Sequence, residues 1–95
     1  MGKNIVVIPA FNEEATIGEV VRCAKKYCGV LVVDDCSTDR TAAIAEENGA
    51  LVLRNKKNLG YDASISIGVS NAARTADVMI LMDADGQHDA RDIPR

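Results

Sequence analysis

Ninety-five residues are enough for one small domain near the lower size limit for unaided folding, and 47% apolar with 26% charged content is ordinary for a globular chain. A net charge of −3 removes the electrostatic attraction on which nucleic-acid binding depends, and aromatics at 3% leave the core to Val, Ile, Leu, Ala and Met. The longest apolar runs are far shorter than a bilayer span, so no transmembrane segment is expected and membrane contact is left to other sequence or to a lipid substrate.

The chain alternates strand-length and helix-length signals. Asn4 to Ile8 is a continuous apolar run, the pattern of a strand buried on both faces. Asn12 is placed to cap a helix with Glu13 and Glu14 in its first turn, followed by Ile17, Val20, Val21 and Ala24 at helical spacing and Lys25 and Lys26 at its end. Gly29 to Val33 is a second buried strand. A second helix is expected from Thr38 or Asp39 through Ala45, stopping at Asn48-Gly49. Leu51 to Leu53 is a third strand. The segment after it alternates Ala63, Ile65, Ile67 and Val69 with Ser64, Ser66, Gly68 and Ser70, a strand-like pattern that also places Ala63, Ile67 and Ser70 on one helical face. Parallel strands need a crossover of about a dozen residues, so this segment is read as helix. Val78 to Met82 is the fourth strand.

The order β-α-β-α-β-α-β predicts an α/β, Rossmann-like domain with a mostly parallel sheet, occupying residues 1–95 as a single domain. Asp92-Ile93-Pro94-Arg95 offers a proline suited to the start of another helix, with no closing element after it, and is read as a truncation. Cys23, Cys28 and Cys36 form no CxxC pair and are odd in number, which points to reduced thiols and a cytoplasmic setting. With His88 the single histidine, finger-type zinc spacing is lacking. No secretory signal is read, since an apolar strand follows directly on Lys3.

In open parallel sheets, ligands bind beyond the carboxyl ends of the strands. The residues expected there are Pro9 to Glu13, Asp34 to Asp39, Arg54-Asn55 with the Asn58-Leu59-Gly60 turn, and Asp83 to Gln87. Asp83 and Asp85, two apart on extended backbone, point the same way at roughly 6.5–7 Å along the chain. One or two carboxylates completed by phosphate oxygens and water suit a hard divalent cation, and Gln87 offers another oxygen. The same Asp-x-Asp could instead cap a turn, but its placement straight after Val78 to Met82 favours the metal. Of the adjacent Asp34 and Asp35 only one can face a ligand, where it could accept hydrogen bonds from a base or ribose; both could instead cap or anchor loops. Glu13 could serve its helix, Phe11 could stack on a base or pack in the core, and His88 reads as a loop residue.

Val7-Ile8-Pro9-Ala10-Phe11-Asn12-Glu13-Glu14, Val32-Val33-Asp34-Asp35-Cys36-Ser37-Thr38-Asp39-Arg40-Thr41, Asn58-Leu59-Gly60-Tyr61 and Asp83-Ala84-Asp85-Gly86-Gln87-His88 resemble, in order and spacing, the family 2 glycosyltransferases. Within that family the look is of dolichyl- or polyprenyl-phosphate sugar synthases, over essentially the whole chain. The resemblance implies a GT-A fold, a nucleoside-diphosphate sugar donor of UDP-glucose or GDP-mannose type, and Mg²⁺ or Mn²⁺. It implies that Pro9, Phe11, Glu13, Val33 and Asp35 line the nucleoside pocket, and that Asp83 and Ala84 join them in binding the nucleotide sugar. Asp83, Asp85 and Gln87 would hold the metal, which would stabilise charge growing on the leaving group. The chain is then the N-terminal donor half, with the acceptor half and its general base beyond it, binding donor with negligible transfer by itself.

Three positions depart from the family pattern: Cys36 where Gly is usual, Asp62 where a small residue is common, and Ser66 where a basic residue often sits. The added carboxylate of Asp62 would repel phosphates. A competing reading is a non-catalytic nucleotide-binding module that self-associates through the Val78 to Met82 edge, giving a homo-oligomer. A phosphoacceptor receiver domain would need a Lys after a fifth strand, which the sequence lacks.

Overall fold

The computed structural model describes residues 4–74, 76 and 78–81. Four strands, β1 (Asn4–Ala10), β2 (Gly29–Asp34), β3 (Leu51–Arg54) and β4 (Val78–Leu81), alternate with three helices, α1 (Ile17–Lys25), α2 (Thr41–Glu47) and α3 (Tyr61–Ala72). Every pairing is parallel and the spatial order is β3-β2-β1-β4. The α/β architecture and the parallel sheet are those expected from the sequence.

Continuous apolar strands arise because helices cover both faces. Val6, Ile8, Val30 and Val32 face α1 and α2, and pack with Ile17, Val20, Val21, Ala24 and Ala45. The alternate residues Val7, Leu31 and Val33 face α3 and pack with Ala72 and Ile67. Val6, Val7, Ile8, Val32 and Val33 are wholly buried, each worth about 1.5–3 kcal/mol relative to exposure.

The segment with the strand-like alternation is helix α3, as the crossover argument requires. Its buried residues are Ser64, Gly68 and Ala72, with Ile67 partly buried beside them; small residues four apart let the helix lie close on the sheet. Two helix starts differ from expectation. Helix α1 begins at Ile17 rather than after Asn12, because Glu13 and Glu14 lie in a turn whose Glu13 carbonyl accepts the N–H groups of Thr16 and Ile17. Asn12 itself has φ of +52°, outside helical geometry. Helix α2 begins at Thr41 rather than at Thr38 or Asp39, because the Asp39 carboxylate accepts the Thr41 N–H at 2.9 Å and the Thr41 hydroxyl, which closes a turn before the helix. Its stop at Asn48-Gly49 is as expected.

Strand β4 pairs only with β1 among the described residues, and its Met79 and Leu81 side chains are exposed. No helix among the described residues is long and apolar enough to cross a membrane. Cys23, Cys28 and Cys36 are all free thiols, and burial pushes the Cys28 thiol up from its ordinary value.

Candidate functional site

From β1 the chain passes to β2 and β3 on one side, then returns to β4 on the other. The order therefore reverses at β1, and the crevice past the carboxyl ends of β1 and β4 is a topological switch point, the preferred ligand position of such sheets. The loops after β1, β2 and β3 meet at this rim.

Hydrogen bonds stitch the first two loops together. The Asn12 N–H donates to Ser37 Oγ at 2.9 Å, and the Glu13 N–H donates to Thr41 Oγ1 at 2.8 Å. Asn12 Oδ1 accepts from the Thr38 N–H at 2.8 Å. The Glu14 N–H reaches Asp39 Oδ2 at 3.2 Å, and Glu14 Oε2 accepts the Arg40 N–H at 3.2 Å. Backbone donors left open by two irregular loops are thus satisfied by side chains of the other loop, which fixes the rim without regular structure. Burial raises the Asp39 carboxyl, but its bonds from Thr41 and the Glu14 N–H outweigh that and hold it below the ordinary 3.8.

Asp34 and Asp35 diverge, as adjacent strand residues must. Asp34 is fully buried; it accepts the Ser37 N–H and hydroxyl and pairs with Arg54 Nε at 3.2 Å, while Arg54 Nη2 donates to the Ser37 carbonyl at 2.8 Å. Asp35, 5% exposed, turns the other way. Its Oδ1 accepts from Asn55 Nδ2 at 2.9 Å and the Leu59 N–H at 2.8 Å, and its Oδ2 accepts the Gly60 N–H at 2.9 Å. Burial pushes this carboxyl up, yet these donors and the Ser64 hydroxyl together hold it below 3.8, so it is ionised at neutral pH. Gly60, with φ of +95°, adopts the left-handed conformation that aims its N–H at the carboxylate.

Of the nucleoside-pocket candidates, Pro9 and Val33 are buried neighbours in the β1–β2 register, Phe11 is 44% exposed at the rim, and Glu13 is half-buried between the stitched loops. Asp35 stands one residue past β2. Asp83, Ala84, Asp85 and Gln87 lie outside the described residues. Among the described residues no group of three or more His, Cys, Asp or Glu side chains gathers as a metal site. The sequence reading did not assign the anchoring roles of Asn55, Ser64, Ser37 and Thr41; the signal for Ser64 was its place in the four-residue spacing Ser64, Gly68, Ala72. A shallow pocket lined by Ile5, Lys25, Val30, Leu51 and Asn71 opens at the opposite, amino-terminal edge of the sheet, away from the rim.

The family model described as glycosyl transferase family 2 matches residues 5–95. The chain belongs to the glycosyl transferase family 2. This domain is 41% identical over 93 residues to an uncharacterized protein of Methanocaldococcus jannaschii, covering 95% of this chain and 38% of that one. It is 36% identical over 103 aligned residues to an undecaprenyl-phosphate 4-deoxy-4-formamido-L-arabinose transferase of Pseudomonas aeruginosa, covering 95% and 30%. The family 2 domain also superposes on Mycobacterium tuberculosis glucosyl-3-phosphoglycerate synthase in complex with Mn²⁺, UDP and glucosyl-3-phosphoglycerate. The TM-score there is 0.73 at 29% identity, over 87% of this chain and 33% of that one. The GT-A fold of these glycosyltransferases is therefore the fold of this domain. The chain spans well under half the length of these relatives.

Proposed function

We propose that this family 2 domain is the donor-binding half of a metal-dependent glycosyltransferase. Its donor is a nucleoside-diphosphate sugar of UDP-glucose or GDP-mannose type, and its acceptor class is polyprenyl phosphate. The observation that carries this reading is the convergence of the loops after β1, β2 and β3 on one polar rim at the switch point, with an ionised Asp35 at its base. The Mn²⁺- and UDP-bound synthase of similar fold supports the same donor chemistry.

Phe11 is the exposed face of the nucleoside pocket, with Pro9 and Val33 buried behind it as its apolar backing. Glu13 and Asp35 supply acceptors for ribose hydroxyls or a ring N–H. Asp83, Asp85 and Gln87 carry the hard oxygen donors that Mg²⁺ or Mn²⁺ takes, and Ala84 belongs with Asp83 to the nucleotide-sugar site. The bound cation would offset charge on the departing diphosphate. Free thiols at Cys23, Cys28 and Cys36 support a reducing, cytoplasmic setting.

Calorimetry with UDP, GDP and their sugars, with and without Mn²⁺, tests this reading. Binding that requires the metal and disappears in Asp85→Ala is expected. Metal-independent binding, or none, overturns it. The rival is a non-catalytic nucleotide-binding module that pairs through β4, favoured by the exposure of Met79 and Leu81. A chain that remains monomeric at high concentration in light scattering eliminates that rival.

A further inference from the structure

Asn55 lies just past β3, where it touches Asp34 at the end of β2 and Asp35 one residue beyond it. Its backbone N–H donates to the Asp34 carbonyl at 2.9 Å, extending the strand pairing by one step. Its side-chain Nδ2 donates to Asp35 Oδ1 at 2.9 Å and to Ser64 Oγ at 3.1 Å. A primary amide carries two N–H bonds on one nitrogen, so a single group is shared between β2 and the first turn of α3. Ser64 is 1% exposed and cannot turn away to water, which makes the bridge rigid.

The arrangement constrains one torsion. Asp35 Oδ1 receives Asn55 and the Leu59 N–H, which fills its two lone-pair positions, while Oδ2 receives the Gly60 N–H. Rotation of the carboxylate breaks these three bonds together, along with the one it accepts from the Ser64 hydroxyl, itself held by Asn55. The two backbone donors come from the turn itself and would follow the carboxylate if the turn moved. Asn55 is tethered to the sheet through its own N–H, so it ties the carboxylate, and with it the turn, to a fixed frame.

We propose that Asn55 is a positioning residue for nucleotide binding, holding the Asp35 carboxylate in the orientation presented to the nucleoside and docking the turn at Leu59 and Gly60 beside it. The inference rests on the donor-site reading above and adds a residue to it. Asn55 acts through Asp35 and is not itself a ligand contact.

Affinity for UDP and GDP in the presence of Mn²⁺ tests the coupling. Asn55→Ala and Asn55→Leu, the latter of similar size but without the donor and uncharged, each weaken binding about tenfold, the scale of one hydrogen bond to a charged group. In an Asp35→Ala background the same substitutions change affinity less than about twofold, because the group they act through is gone. In ¹H–¹⁵N spectra without nucleotide, the Leu59 and Gly60 amide resonances move in Asn55→Ala while those of β1 and α1 stay in place. Equal penalties in both backgrounds, or unmoved Leu59 and Gly60 amides in a folded Asn55→Ala chain, overturn the proposal and leave the donor reading intact. Absence of nucleotide binding by the unsubstituted chain overturns both.

Discussion

Gly68 lies directly over Val7: a Cβ on Gly68 would fall 2.4 Å from Val7 Cγ1 and 3.0 Å from Val33 Cγ2. Helix α3 therefore rests on the sheet at a separation that only a hydrogen side chain permits. Alanine gains about 1 kcal/mol over glycine in helix propensity, but overpacking typically costs about 1–3 kcal/mol and this contact is severe. Gly68→Ala is expected to lower stability by about 2 kcal/mol net, read as a lower urea midpoint. In a Val7→Ala background the same change costs less, and equal costs in the two backgrounds would contradict the packing argument.

Cys36 holds φ of +62°, in the left-handed region where a side chain is strained by about 1–2 kcal/mol. Its thiol gains only a long contact to the Lys56 carbonyl at 3.7 Å. Cys36→Gly should stabilise the chain by about 1 kcal/mol, raising the melting temperature by about 4–8 °C for a domain of this size. A lowered melting temperature would mean that the thiol contact outweighs the strain.

Asn12 combines φ of +52° with a side chain that accepts the Thr38 N–H. Asn12→Gly removes the bond and keeps the conformation cheap, whereas Asn12→Ala removes the bond and adds strain. Both variants should be less stable, with alanine worse than glycine by about 1 kcal/mol in denaturant titrations.

The Asp35 carboxyl is held below 3.8 in the folded chain, so folding favours its ionised form. The associated stability is complete above the ordinary carboxylate value and is lost as pH falls through 3.8 toward the lower folded value. Asp35→Asn should therefore destabilise the chain by about 1–3 kcal/mol at pH 7, with the gap to the unsubstituted chain narrowing in acid. Melting curves at pH 7 and pH 3 measure this, and a gap that widens in acid would refute it.

Much of the architecture was legible from local pattern. Continuous apolar runs such as Val30 to Val33 have no polar face, so they can be stable only between two layers of helices. Helix α3 was harder, because Ile65, Ile67 and Val69 alternate with small polar residues as a half-exposed strand would. The length of a parallel crossover decided it, and the close approach at Gly68 explains why small residues, rather than large apolar ones, form its buried face.

Residue type and order by themselves determined the strand and helix succession, the gathering of polar residues at one sheet edge, and the family to which that pattern belongs. Tertiary structure alone decided how those polar residues are used. Whether Asp35 faces Leu59 and Gly60, or Asn12 caps a helix or ties down Thr38, depends on which donors other loops bring within 3 Å. Periodicity along the chain reports which face of an element is buried. It carries no record of partners 25 residues away, and only the folded arrangement of the strands brings those donors and acceptors together.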